Sequence, residues 1–335
     1  MEHRRLGKSG LKVSSLCLGT MTFGDSTGFM KGVTSPDAVA RSVLDRALEA
    51  GIDFLDTANI YSEGQSEQRL GEWLGPRRKE LILATKCRFP MGPSEHEQGL
   101  SRRHILQACE DSLKRLRTDW IDLYQVHMQD GQVEIDETLR ALDDLITAGK
   151  IRYAGCSNYT GYRLTEALWA SDKRGLHRFE SVQLQWNLLE RGAEREMIPA
   201  CRAFGLGVMV WSPLARGMLS GKYRRDMPPP TGSRLGEWKD AWRRINNERT
   251  WALLDAVAAV ATEVGASTAA VSLAWLLHRP EVSSVVLGAR DVLQLEDNLK
   301  AAQLKLGAAQ LALLDKASEP VWGYPYDFIA FRERW

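Results

Sequence analysis

The sequence predicts an α/β protein of the (β/α)8 TIM-barrel class, one domain over residues 1–335, and three observations carry that expectation. Eight short β-like runs alternate with amphipathic helical stretches, the pattern of parallel strands joined by crossover helices. The ends of the second to seventh runs fall roughly 25 to 41 residues apart, the size of one βα unit with variable loops. The rival architecture, an open doubly wound sheet, should carry G-x-G-x-x-G after its first strand. Here that place reads Gly19-Thr20-Met21-Thr22-Phe23-Gly24, and Gly205-Leu206-Gly207 lacks the third glycine and precedes a strand. A length of 335 residues suits one such barrel, and no shift in composition marks a domain boundary.

In order along the chain, residues 4–6 and 11–13 flank Gly7-Lys8-Ser9-Gly10 and read as a β-hairpin that plugs the N-terminal end of the barrel. The eight strands are expected at 15–19, 54–56, 81–86, 121–127, 153–157, 182–185, 208–211 and 285–288. Apolar residues recur at three- and four-residue intervals over 38–50, 103–116 and 135–148, the first and last ending at Gly51 and Gly149 as C-caps. After the seventh strand the rhythm breaks. A long loop follows, with Met227-Pro228-Pro229-Pro230-Thr231-Gly232-Ser233 as an irregular stretch, then helices at 247–264 and 267–277. The C-terminal tail, 319–335, holds Trp322, Tyr324, Tyr326, Phe328, Phe331 and Trp335, and is expected to pack over something apolar.

Composition narrows the function classes. The apolar fraction is 44% and the formal net charge +1, from 44 basic and 43 acidic residues. A balance so even gives no electrostatic attraction to nucleic acid or to an anionic membrane. Five dispersed cysteines without a C-x-x-C pair point to no disulfide framework and no metal site. No apolar segment near the N-terminus reads as a signal peptide and no run of about 18 apolar residues as a membrane span, so a cytoplasmic protein is expected.

In a closed βα barrel the active residues sit at the C-terminal ends of the strands. The polar residues there are Asp56, Lys86 and His127, and Tyr61 lies in the loop just beyond Asp56. A free tyrosine has a pKa of about 10, and a nearby ammonium favours its phenolate. A carboxylate keeps the lysine charged, and a neutral imidazole hydrogen-bonds a carbonyl oxygen. Together such groups polarise a C=O and protonate the oxygen as hydride reaches carbon. Taken singly, each has a plain alternative: a salt bridge at the barrel mouth, a structural histidine, an aromatic on the rim. Their joint occurrence at corresponding strand ends favours the chemistry.

At these residues the chain resembles the aldo-keto reductase family. Gly51-Ile52-Asp53-Phe54-Leu55-Asp56-Thr57-Ala58-Asn59-Ile60-Tyr61 matches the family's G-x-x-x-x-D-T-A-x-x-Y signature. The segments ending in Lys86, His127 and Ser157-Asn158 match its lysine, histidine and Ser-Asn segments. The resemblance implies NAD(P)H held in extended form over the barrel mouth. It implies Ser157, Asn158 and Gln183 on the carboxamide of the nicotinamide, Trp211 against its face, and Thr20, Met21 and Asp56 beside it. Ser212, Pro213 and Leu214 would follow the pyrophosphate. Gly288, Arg290, Gln294, Asp297 and Asn298 would form the adenosine-phosphate site, with Lys222 and Arg234 from the long loop over the phosphates. An aromatic at a strand end suits stacking, with core packing as the lesser alternative for Trp211, and each basic residue reads equally as surface charge. Some members carry lysine at the place of Gly288 and arginine at that of Gln294, so positive charge here rests on Arg290, Lys222 and Arg234. NADPH is favoured over NADH on that ground.

The implied activity is interconversion of an aldehyde or ketone and its alcohol, with no metal. Phe23, Phe89, Met128, Tyr159, Trp186 and Trp322 are candidate walls of an apolar substrate pocket; they name no particular substrate or oligomeric state. The stretch 211–223 also resembles the branch that holds potassium-channel β subunits, which raises a second reading, a cofactor-binding regulatory subunit of a membrane channel. Those subunits carry asparagine at the histidine position, whereas this chain has His127, and no long N-terminal inactivation segment precedes its barrel.

Overall fold

The structure, a computed structural model, describes residues 1–28 and 30–332. Trp335 of the aromatic tail lies outside the described residues. A two-stranded antiparallel hairpin, β1 (His3–Arg5) and β2 (Lys12–Ser14), precedes the barrel. Eight parallel strands then close on themselves: β3 (Leu16–Gly19), β4 (Phe54–Asp56), β5 (Ile82–Cys87), β6 (Ile121–Val126), β7 (Ile151–Ser157), β8 (Phe179–Gln185), β9 (Gly207–Trp211) and β10 (Val282–Leu287), the last pairing with β3. The protein is therefore a (β/α)8 barrel, with each strand followed by at least one helix on the outside.

Two apolar layers hold it. The larger lies between the strands' outer faces and the helices. The smaller fills the barrel interior and joins Leu6 and Val13 of the hairpin to Cys17, Phe54, Ala84, Leu123, Met209 and Val286, so the hairpin plugs the N-terminal end. Close approach there requires Gly7: with φ +62°, a Cβ on it would lie 2.4 Å from the Gly207 nitrogen.

The helices form where apolar spacing puts them. Asp37–Glu49, Arg102–Leu116 and Ile135–Thr147 each bury one stripe, and Gly51 and Gly149 follow with positive φ. Glu248–Val264 and Thr268–Leu277 start at Asn247 and Ser267, whose side chains accept from backbone amides three residues on. Every residue from Ala269 to Leu277 is buried, as an all-apolar helix requires. Among the described residues no single helix is long and apolar enough to cross a membrane.

The stretch 227–233 holds neither helix nor strand, and the long loop after β9 continues into short helices at Arg234–Glu237 and Lys239–Ile245, with Trp242 against Tyr223 and Trp251. One expectation needs correction. The tail does not pack over an apolar surface. Tyr324, Phe328 and Phe331 are exposed, and Tyr326–Arg332 is a helix without a buried residue. Polar contacts hold the tail, among them the Tyr326 hydroxyl, which donates to Glu196 Oε1 at 2.5 Å. The Arg195 guanidinium lies 6.0 Å from the Trp322 ring and 5.2 Å from that of Tyr326.

Candidate active site

The C-terminal mouth of the barrel opens into a cavity of about 750 Å³. Strand ends and one loop bring Asp56, Tyr61 and His127 to its wall, with the fully buried Lys86 behind them. Asp56 ends β4, Lys86 lies next to last on β5, and His127 follows β6 directly. Tyr61 comes from the loop after β4, where Ser62 and Glu63 take left-handed φ of 47° and 55°. Such conformations are strained in non-glycine residues and persist where surroundings hold them. Here the Ser62 hydroxyl donates to the Phe23 carbonyl at 2.8 Å. The helix that follows, Gln65–Leu74, is anchored by the fully buried Glu67, which accepts from Arg115 Nε at 2.7 Å and from the Thr85 hydroxyl.

Lys86 is fully buried and donates to Asp56 Oδ1 at 2.5 Å, to the Thr57 carbonyl at 2.7 Å and to Tyr61 Oη at 3.3 Å. The other Asp56 oxygen accepts from Gln183 Nε2 at 2.8 Å and Gln125 Nε2 at 3.1 Å. Burial alone would lower the Lys86 pKa, but the Asp56 carboxylate and the Tyr61 oxygen outweigh it and hold the ammonium above its ordinary value. For Tyr61 the balance is opposite. Burial raises the phenol's pKa more than Lys86 lowers it, so the ammonium limits the rise rather than reversing it.

His127 packs its ring between Tyr61 and Phe89, at centroid distances of 5.8 and 4.8 Å. Burial, helped by the Lys86 charge, pushes its pKa well below the ordinary value, so the ring is neutral at neutral pH. Nδ1 is buried without a partner, which leaves Nε2 as the nitrogen able to meet a ligand. A histidine buried neutral contributes stability that is full above its unfolded pKa and is lost as pH falls below it, from about 6.5 downward. We expect His127→Gln to make the fall of the urea midpoint between about pH 6.5 and pH 5 shallower, by up to one proton. An unchanged slope would contradict a neutral buried ring.

The rest of the cavity wall divides by chemistry. Ser157, Asn158 and Trp211 sit together at the ends of β7 and β9. Asn158, at φ 53°, donates to the His127 carbonyl at 2.9 Å and accepts from Trp211 Nε1 at 3.2 Å. Ser212, Pro213 and Leu214 continue the wall, with Ser212 left-handed at φ 52° and its carbonyl held by Asn187 Nδ2 at 3.0 Å. Met21 and Gly288 also line the mouth. Thr20 does not line the cavity: it is fully buried beneath it, with Oγ1 on the Asp56 carbonyl and Ser66.

Lys222, Arg234 and Arg290 line the far end, together with Gln294, Asp297 and Asn298. Partial burial lowers the Lys222 and Arg234 pKa values, and the nearby Arg290 lowers each further. Among the described residues none of these three cations forms an ion pair with a carboxylate. Arg290 also donates to the Gly232 carbonyl at 2.7 Å, which ties the proline-rich stretch to the loop after β10. Asp291 caps the helix Val292–Leu299 and takes the Gln294 amide. Charge for a phosphate in this loop therefore rests on Arg290 more than on the helix N-terminus.

Of the six expected substrate-pocket residues, Phe89 lines the cavity. Phe23, Tyr159 and Trp186 are buried against Trp73, Phe179 and Trp275 and are not among its walls. Met128 and Trp322 are half-buried and also lie off it. Apolar walls come instead from Val33, Ile60, Pro90 and Trp238. Gln125 was not singled out from the sequence, although a polar residue two places before His127 in an apolar strand shares its inward parity.

The Aldo/keto reductase family model matches residues 15–319. An uncharacterized oxidoreductase of Bacillus subtilis is 38% identical over 94% of this chain and 95% of its own. Versiconal hemiacetal acetate reductase of Aspergillus parasiticus is 34% identical over 96% and 98%. A probable voltage-gated potassium channel subunit beta of Arabidopsis thaliana is 33% identical over 97% and 98%. The chain belongs to the aldo/keto reductase family.

Proposed function

We propose that the protein is an NADPH-dependent carbonyl reductase that interconverts an aldehyde or ketone and its alcohol, with Tyr61 as general acid and base. The observation that carries the reading is the hydrogen-bonded chain Asp56–Lys86–Tyr61, which ends at a phenol on the wall of a large, mainly apolar cavity. Bound nicotinamide nucleotide would supply the hydride. Tyr61 would hold a proton at Oη for the substrate oxygen. Lys86 would stabilise the phenolate left behind, Asp56 would keep Lys86 charged and fixed, and His127 Nε2 would orient the carbonyl. The residues present suit that nucleotide. Ser157, Asn158 and Gln183 offer amide and hydroxyl groups near Trp211, and Lys222, Arg234 and Arg290 are partly shielded cations without acid partners. Val33, Ile60, Phe89, Pro90 and Trp238 would shape an apolar substrate site.

A preference for NADPH over NADH follows from those cations, because the 2′-phosphate adds charge that a guanidinium can hold on two oxygens. Quenching of tryptophan fluorescence should therefore give tighter binding for NADPH. Arg290→Ala is expected to weaken NADPH about 10- to 100-fold while leaving NADH within about 2-fold. Equal loss for both nucleotides would remove Arg290 from phosphate recognition, and no binding of either would overturn the oxidoreductase reading. The plant channel subunit among the relatives supports a second reading, a regulatory subunit that binds cofactor with little turnover. Steady reduction of an aldehyde panel with NADPH favours the first reading, and binding without turnover favours the second.

A further inference from the structure

Gln125 lies outside the residues that the proposed chemistry uses, yet it touches their carboxylate. It stands on β6 two residues before His127, with its side chain fully buried inside the barrel. Three donors share Asp56: Lys86 on Oδ1, and the Gln183 and Gln125 amides on Oδ2. Chemistry settles which way the Gln125 amide is turned, since the opposite orientation would set its carbonyl oxygen against a carboxylate oxygen. Its Oε1 is buried without a partner. A glutamine here therefore leaves one polar atom unsatisfied, and its contact with Asp56 is the interaction it makes in return. The neighbouring strand makes room for it. Gly155 pairs with Gln125 across β6 and β7, and a Cβ on Gly155 would lie 3.2 Å from Gln125 Cγ and 2.7 Å from Ser181 Oγ.

We infer that Gln125 is a positioning residue for the reaction proposed above: with Gln183 it disperses the charge of Asp56 and fixes the carboxylate, so that Lys86 presents its charge to Tyr61. The inference rests on that reading of the site. Four charged or titratable neighbours face Tyr61: Asp56 from β4, Lys86 from β5, the His127 ring after β6 and Arg234 from the helix Arg234–Glu237. Lys86 and Arg234 favour the phenolate and Asp56 opposes it. An amide donor on Asp56 weakens that opposition. Without Gln125, the tyrosine gives up its proton at higher pH, and both the rise of alcohol oxidation and the alkaline fall of carbonyl reduction move up the pH scale. Gln183 is poorly placed to make up the loss, because its single amide already serves Asp56.

Gln125→Met keeps side-chain length and removes the donor. It is expected to lower kcat about 10-fold and to move both pH limbs up by about half a unit, with cofactor Kd and substrate KM within about 2-fold. Gln125→Glu should move the limbs further in the same direction, by setting a second carboxyl beside Asp56. A residue that only filled space would cost thermal stability and leave the limbs where they were; that result overturns the inference. A second measurement needs no turnover. In a double-mutant cycle with Asp56→Asn, the fall in melting midpoint caused by Gln125→Met should shrink to less than half of its value in the parent. Additive falls would also overturn it. If the parent protein reduces no carbonyl with NADPH, the proposed function fails, and the cycle still decides whether Gln125 acts on Asp56.

Discussion

Tyr61→Phe is expected to lower kcat for carbonyl reduction by about 10³-fold while cofactor affinity stays within about 2-fold of the parent. The substitution removes one oxygen and little else. A phenyl ring of the same shape keeps the edge contact with His127 and the place under the Lys86 ammonium, whose Nζ lies 5.0 Å from the ring centre. Removing the hydroxyl leaves Lys86 its bonds to Asp56 and Thr57, so the buried ammonium is not orphaned and the fold should survive. What disappears is the only phenol hydrogen-bonded to that ammonium among the described residues, and with it the proton for the developing alkoxide. Stopped-flow or steady-state rates and a fluorescence titration on the same preparation check both halves. A variant that retains more than about a tenth of the parent kcat would move the proton donor elsewhere. Joint loss of turnover and cofactor binding would make Tyr61 a structural residue of the mouth.

Much of this site was legible in the sequence because strand ends are legible. Asp56, Lys86 and His127 each terminate an apolar run, and a barrel brings such ends to one mouth. The beginnings of strands were harder. β7, β8 and β10 start two to three residues before the apolar runs at 153, 182 and 285, at Ile151, Phe179 and Val282, because Arg152, Glu180, Ser283 and Ser284 interrupt the pattern. The two serines are satisfied from outside the strand: Ser283 donates to the Arg5 carbonyl and Ser284 to that of Ser14, both at the hairpin plug. No local pattern announces a partner so far away in the chain. The pocket walls failed for a related reason. Position after a strand says that Phe23, Tyr159 and Trp186 are near the mouth, but not which way each ring turns, and each turns to a core aromatic. In the tail, aromatic content suggested burial, yet Trp322 and Tyr326 meet the Arg195 guanidinium, and the Tyr326 hydroxyl donates to Glu196, at the surface.

Lys86→Met should produce the other large effect, and it should appear in stability as well as in rate. Asp56 is 2% exposed, and it forms an ion pair with the fully buried Lys86. Burying such a pair is a weak source of net stability, but removing one partner leaves the other charge without compensation, at a cost of about 3–5 kcal/mol. For a domain of this size that corresponds to a fall of roughly 4–7 °C in Tm. Turnover should fall about 10³-fold, because the phenolate loses the ammonium that stabilises it. The pH dependence carries a sign that can be checked. Folding raises the Lys86 pKa, so its contribution is full below the free-lysine value of about 10.4 and is lost as pH rises through the folded value. The parent should therefore lose stability at the alkaline end by one ionisation that the variant lacks. Lys86→Met/Asp56→Asn separates the two effects. Without the stranded carboxylate, the double variant should regain most of the Tm, yet it should stay inactive because the ammonium hydrogen-bonded to Tyr61 is gone. Recovery of turnover along with Tm would show that Lys86 serves the fold alone; recovery of neither would mean that the Asp56–Lys86 contact is not what destabilises the single variant.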